Sequence, residues 1–178
     1  MKLSGCQIAR SGLELLTFLA RSVDVKFSTI IFVIVAVTSA LSQVSGNEGA
    51  ISRLRKSYPS VDWNTRSTAV ADVTCDGKPD TIVWGSDKKK VVIAVVSGAR
   101  PNKAQVFSFP IGGNTQDAFC EIPTRIETSP LDCFSDKGAL PGCESFEGCR
   151  AFSVMDNKCD PFNFYWDSSR KSLAWWRN

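Results

Sequence analysis

The chain has 178 residues, with 21 Lys and Arg against 18 Asp and Glu, and no histidine. The missing histidine excludes Ser-His-Asp and Cys-His catalysis and histidine-held metals. A net charge of +3 with one short basic run excludes the basic stripe of a nucleic-acid protein, and there is no glycine-rich dinucleotide fingerprint or phosphate loop.

Residues 27–41 read FSTIIFVIVAVTSAL, an uncharged apolar run behind Arg21 and Lys26 and ahead of a Ser-Gln-Val-Ser-Gly exit. A basic flank, a short apolar stretch and small residues after it describe a secretory signal. The run is shorter than the roughly 20 apolar residues that span a bilayer. Residues 1–46 are therefore expected to be a signal peptide, with an uncleaved N-terminal membrane segment as the alternative. Export places the remainder in a periplasmic or extracellular, oxidising compartment. Residues 47–60 read as a flexible linker in which Ile51 and Leu54 form one weak helical turn. Residues 61–178 are expected to fold as a single disulfide-containing, β-rich domain, since the roughly 130 residues left after export suit one core.

A short strand is predicted over 68–73, followed at once by Asp72-Val-Thr-Cys-Asp76-Gly-Lys-Pro-Asp80. Oxygen-bearing groups fall at alternate positions: the Asp72, Asp76 and Asp80 carboxylates, the Thr74 hydroxyl and the Lys78 carbonyl. Gly77 permits the bend such a wrap needs, so calcium is the expected ion. The twelfth position of a helix-loop-helix calcium hand would be Val83 rather than glutamate, which excludes that hand. The competing reading is a polar turn whose aspartates accept backbone hydrogens. Residues 71–85, ADVTCDGKPDTIVWG, resemble the calcium loop of FG-GAP repeats in integrin alpha-chain propellers. That resemblance implies a strand-loop-strand site with calcium at Asp72, Thr74, Asp76, Lys78 and Asp80. Thr74 and Cys75 depart from the family pattern. It covers one repeat, and no second copy occurs, which excludes a propeller built from such units within this chain.

Further strands are expected at 81–84, at the apolar run 91–96 in a central position, and at 104–109, which alternates as a half-buried strand does. Lys88-Lys89-Lys90 reads as a solvated hairpin turn, and Gly112-Gly113-Asn114 as another turn. Weaker strands are expected within 119–126 and 151–155. Residues 162–166 and 173–176 flank Asp167-Ser-Ser-Arg-Lys171 as a closing hairpin. The fold class is mainly β, a small antiparallel sandwich or curled meander with a disulfide-stapled irregular region.

Six cysteines follow the leader: Cys75, Cys120, Cys133, Cys143, Cys149 and Cys159. An even number in an exported chain reads as three disulfides, and the spacing does not choose their pairing. No Cys-x-x-Cys pair occurs, which argues against zinc. Asp117 and Glu121 are four apart and read as surface residues. Trp175 and Trp176 point to opposite sides of a strand, so one of them, with Arg177, is a candidate binding surface for a protein or glycan; the competing and favoured reading packs Trp176 over the outer face of the sheet or against the disulfide-rich segment. These readings favour an exported, non-catalytic binding or inhibitory module with a structural calcium loop. A carboxylate-dependent, glycan-acting hydrolase and a structural cell-envelope domain are the alternatives. Membrane contact is expected only through the N-terminal segment, and nucleic acid is not an expected partner.

Overall fold

The computed structural model describes residues 48–112 and 115–178. The export segment at 27–41 and the rest of the leader lie outside the described residues, as do two positions of the turn expected at 112–114. Among the described residues no helix is long and apolar enough to cross a membrane.

The stretch expected as a flexible linker instead carries a helix, α1, over 48–57. Ala50, Ile51 and Leu54 are buried, while Ser52, Arg53, Arg55 and Lys56 are exposed. That spacing gives one apolar stripe. The stripe docks on a sheet face, where Ala50 and Leu54 join Trp63, Val83, Val92, Ala94 and Val96. Two apolar turns are too weak to hold a helix alone, and tertiary packing supplies the rest.

The first sheet comprises β1 (Asp62–Ala71), β2 (Asp80–Asp87), β3 (Lys90–Val96) and β4 (Ala104–Pro110), all antiparallel and in that order. β3 lies inside the sheet, which explains its unbroken apolar run. Val91, Ile93 and Val95 face the second sheet, and Val92, Ala94 and Val96 face α1. The β2–β3 connection is the exposed lysine turn, with Asp87 paired to Lys90 and Lys88 in the left-handed region at φ 44°.

After this sheet come β5 (Arg125–Pro130), a small hairpin of β6 (Phe134–Ser135) and β7 (Gly138–Ala139), then β8 (Arg150–Met155), β9 (Phe162–Asp167) and β10 (Ser172–Trp176). The second sheet runs β10-β9-β8-β5, again antiparallel. The strand expected within 119–126 begins only at Arg125. Ahead of it the Cys120 and Glu121 N–H groups donate to the Asp156 carboxylate at 2.9 and 3.4 Å instead of to a ladder.

The sheets share a core of Ile82, Trp84, Ile93 and Phe109 against Phe152, Val154, Phe162, Phe164 and Leu173. Its rings interlock, with Phe152 stacked on Phe164 at 4.6 Å and Phe109 at 4.4 Å from Phe162. One pair of sheet edges is joined by a side chain. The Gln105 amide donates to the Leu173 carbonyl at 2.9 Å and accepts its N–H at 2.8 Å, standing in for a strand partner between β4 and β10. The result is a small antiparallel sandwich with a helix on its outer face.

Candidate functional site

The acidic loop joins neighbouring antiparallel strands β1 and β2. Asp80 has no exposed surface. One of its carboxylate oxygens accepts the N–H groups of Val73 and Thr74, both at 2.9 Å. The other accepts the Gly98 N–H at 2.9 Å and the Thr74 hydroxyl at 3.3 Å. Burial pushes the Asp80 carboxyl above its ordinary value, and these donors partly offset the rise. Gly98 is required by the approach itself, since a Cβ there would lie 2.1 Å from the Pro79 carbonyl oxygen.

The more exposed members close the loop in the same way. Asp72 accepts the N–H groups of Asp76 at 3.1 Å and Gly77 at 2.8 Å, and Asp76 accepts that of Lys78 at 3.1 Å. Cys75 and Gly77 adopt left-handed φ values of 54° and 80°. A disulfide joins Cys75 to Cys149, and the Arg150 N–H donates to the Asp72 carbonyl at 2.8 Å. The loop is thereby tied to the start of β8 in the opposite sheet. Each aspartate is engaged by the chain's own N–H groups. Among the described residues no three His, Cys, Asp or Glu side chains are grouped so as to hold a metal.

The remaining cysteines pair Cys120 with Cys159 and Cys133 with Cys143, giving the three expected disulfides. Only Cys133–Cys143 lies wholly within the irregular segment. The other two bonds leave it to reach earlier parts of the chain. Asp156, beside Cys159, accepts four N–H groups, those of Cys120, Glu121, Lys158 and Cys159. Burial alone would raise its carboxyl, but the four donors outweigh it and the net shift is downward. Asp167 is 2% exposed and is also held below the ordinary carboxylate range. The Ser169 hydroxyl at 2.5 Å is the main cause, helped by the Arg170 N–H at 3.1 Å. Neither aspartate is singled out by spacing. The available signal is an aspartate at a strand end followed by turn formers, Asp156-Asn and Asp167-Ser-Ser.

Segment 140–143 folds over the outer face of the second sheet. The Tyr165 hydroxyl donates to the Pro141 carbonyl at 3.0 Å, and Ser168 donates to the Gly142 carbonyl through N–H and hydroxyl at 2.8 and 2.9 Å. Gly142, at φ 68°, passes so close to Asp167 that a Cβ would overlap its carboxylate. Beyond this contact the segment turns outward. Phe134 is 69% exposed and Phe146 43%.

The three C-terminal residues expected to form a contact surface divide. Trp175 packs its ring edge-on to Phe109 at 5.2 Å and near Phe162 at 5.4 Å, yet stays 36% exposed. Trp176 is half-buried. The Arg177 guanidinium lies 4.6 Å over the Phe162 ring and donates to the Gln116 and Ala118 carbonyls at 3.2 and 2.6 Å. Its charge is spent fastening the 116–118 loop. Lys137 donates to the Arg177 carbonyl at 3.1 Å and Asn178 to the Asp136 carboxylate at 3.1 Å, so the β6–β7 hairpin stands beside the C-terminus. Phe134 was not foreseen. Its signal is an aromatic residue directly after a cysteine, within a short bracket of Ser, Asp, Lys and Gly that gives it no apolar neighbour at strand spacing.

Comparisons of the chain with protein families, with curated proteins and with solved structures returned no match.

Proposed function

We propose that the chain is an exported, non-catalytic binding module that engages a protein partner through its disulfide-framed segment 131–149, with Phe134 as the anchor. The observation that carries this reading is the 69% exposure of Phe134 on a hairpin locked by Cys133–Cys143. A large aromatic side chain held out on a pre-organised loop loses little entropy on binding, which is what an interface hot spot requires. The hairpin's bonds to Arg177 and Asn178 make it continuous with the C-terminal surface where Trp175 is partly open. Three disulfides support export, because such bonds persist in oxidising compartments.

The hydrolase alternative needs two carboxylates facing each other across a cleft. Asp80, Asp156 and Asp167 are engaged by N–H and hydroxyl donors of the chain, which favours a structural role for each. Calcium in the 72–80 loop remains a separate proposal, resting on ligand spacing alone. Calorimetric titration of calcium into chelator-treated protein tests it: saturable heat that disappears in Asp76→Ala supports the ion, and absence of heat leaves a self-closed polar turn.

The binding reading is tested by placing a photo-crosslinking phenylalanine analogue at position 134 and irradiating the exported protein in its own compartment. A discrete adduct, lost when Cys133 and Cys143 are both changed to Ser, is expected. An equally exported protein that yields no adduct at 134, or yields the same adduct from the control position Val70, overturns the reading.

A further inference from the structure

A second site lies where β1 departs from β2. Trp63 pairs with Gly85 and Thr68 with Val83, so the four residues 64–67 oppose the single residue Trp84. The excess forms a wide bulge, closed by the Arg66 N–H donating to Asn64 Oδ1 at 3.1 Å. Bulges re-aim side chains and are common beside functional sites. Here the bulge opens a cleft of about 510 Å³, within the size range of small-molecule sites.

Its lining includes Asp62, Trp63, Asn64 and Arg66 of β1, Trp84 and Ser86 of β2, and Ile122. Trp63 and Trp84 are 4% and 6% exposed, and the indole Nε1 of each is buried without a hydrogen-bond partner among the described residues. Ile122 is 50% exposed and offers an apolar wall. Asp62 and Arg66 are both exposed and carry opposite charges, so the lining has no net charge.

We infer that this cleft binds a neutral, polyhydroxylated ligand, a saccharide. Each sugar hydroxyl both donates and accepts. Asp62 takes donors only, Arg66 takes acceptors only, and Asn64 and Ser86 take either. The C–H face of a pyranose ring suits Ile122. A ligand with net charge would meet one favourable and one opposing charge at the rim. The inference is independent of the Phe134 surface, with which the cleft shares no lining residue.

The test uses the indole N–H signals of the five tryptophans in the disulfide-bonded, isotopically labelled protein. The Trp84 signal is assigned by its loss in Trp84→Phe. A panel of neutral disaccharides is then titrated alongside glycine and inorganic phosphate. A saturable shift of the Trp84 signal with at least one disaccharide is expected. Asp62→Asn and Arg66→Gln, both at exposed positions, should each weaken it by about tenfold, as loss of a hydrogen bond to a charged group does. The remaining indole signals of these variants report whether the fold is kept. A Trp84 signal that stays fixed with every disaccharide, or that responds to glycine or phosphate instead, overturns the inference.

Discussion

The first four strands and the region from residue 115 onward are held by different means. The inner strands β2 and β3 of the first sheet are buried on both faces, under α1 and against the second sheet, and the sheet's connections are short turns or the self-bonded 72–80 loop. The second sheet packs its phenylalanines against the first and has Tyr165 on its other face, under segment 140–143. Its long connections are fixed by three buried or half-buried devices: the disulfides, Asp156 and Asp167. Burial organises the first region and crosslinks organise the second. The exposed aromatics follow from this, because a crosslinked loop keeps its shape without tucking its rings inside.

The sharpest challenge to this contrast is a core substitution on each side. Phe164→Ala removes a ring stacked on Phe152 and should cost about 3–5 kcal/mol, while Ile93→Ala should cost about 2–5 kcal/mol. Chemical denaturation should show one cooperative transition in both variants, since the two residues belong to a single core. Separate transitions would mean that the regions are independent and the contrast is one of domains rather than of means.

The disulfides sharpen the comparison. Cys75–Cys149 spans 74 residues and joins the two sheets, whereas Cys133–Cys143 spans 10. Removing the first by a double change to Ser should cost roughly 3–5 kcal/mol, and removing the second less than about 3 kcal/mol, because loop-closure entropy grows with span. The second loss should appear as faster amide exchange confined to 131–149. Equal losses of global stability would show that the small bracket also supports the sheet beneath it.

Gln105 offers a smaller effect at the seam. Gln105→Leu keeps the volume and leaves the Leu173 N–H and carbonyl without that partner, at a cost of about 1–3 kcal/mol. Faster exchange at Leu173, with the other β10 amides unchanged, is the expected signature. Unchanged exchange there would show that the seam is held by ring packing alone.

The same contrast explains what the sequence carries. Strands β2, β3, β4, β9 and β10 are legible because burial writes period-two or continuous apolar runs into them. The helix at 48–57 is legible only as one weak turn at Ile51 and Leu54, because only these and Ala50 mark it and the face that receives them lies beyond residue 60. Residues 119–124 read as strand from their apolar content, but a carboxylate 35 residues away takes two of their N–H groups. The cysteine count announces three disulfides, while the pairing depends on which loops the sheets bring together. In the acidic loop, ligand spacing and a self-bonded turn call for the same residues, since aspartate accepts either a cation or an N–H. The cleft beside Trp84 leaves no motif, because its residues meet only through a break in register.

Acid titration separates the two regions by sign. In the second region Asp156 and Asp167 have folded-state values below the ordinary carboxylate value. Their stabilising contribution is full above the unfolded value, about 3.9, and is lost as the pH falls through the lower folded values. In the first region Asp80 is raised, so its folded form holds its proton more tightly than the unfolded chain. The ionised form is a cost above that raised value, and the cost is relieved as the pH falls from there towards the unfolded value. Acidification should therefore bring a small gain from Asp80 before the loss from Asp156 and Asp167. Denaturation midpoints measured across this range should lose the early gain in Asp80→Asn and show a shallower late loss in Asp156→Asn. An Asp80→Asn profile parallel to the wild type would mean that its N–H donors balance its burial, leaving the two regions alike in how they hold a carboxylate.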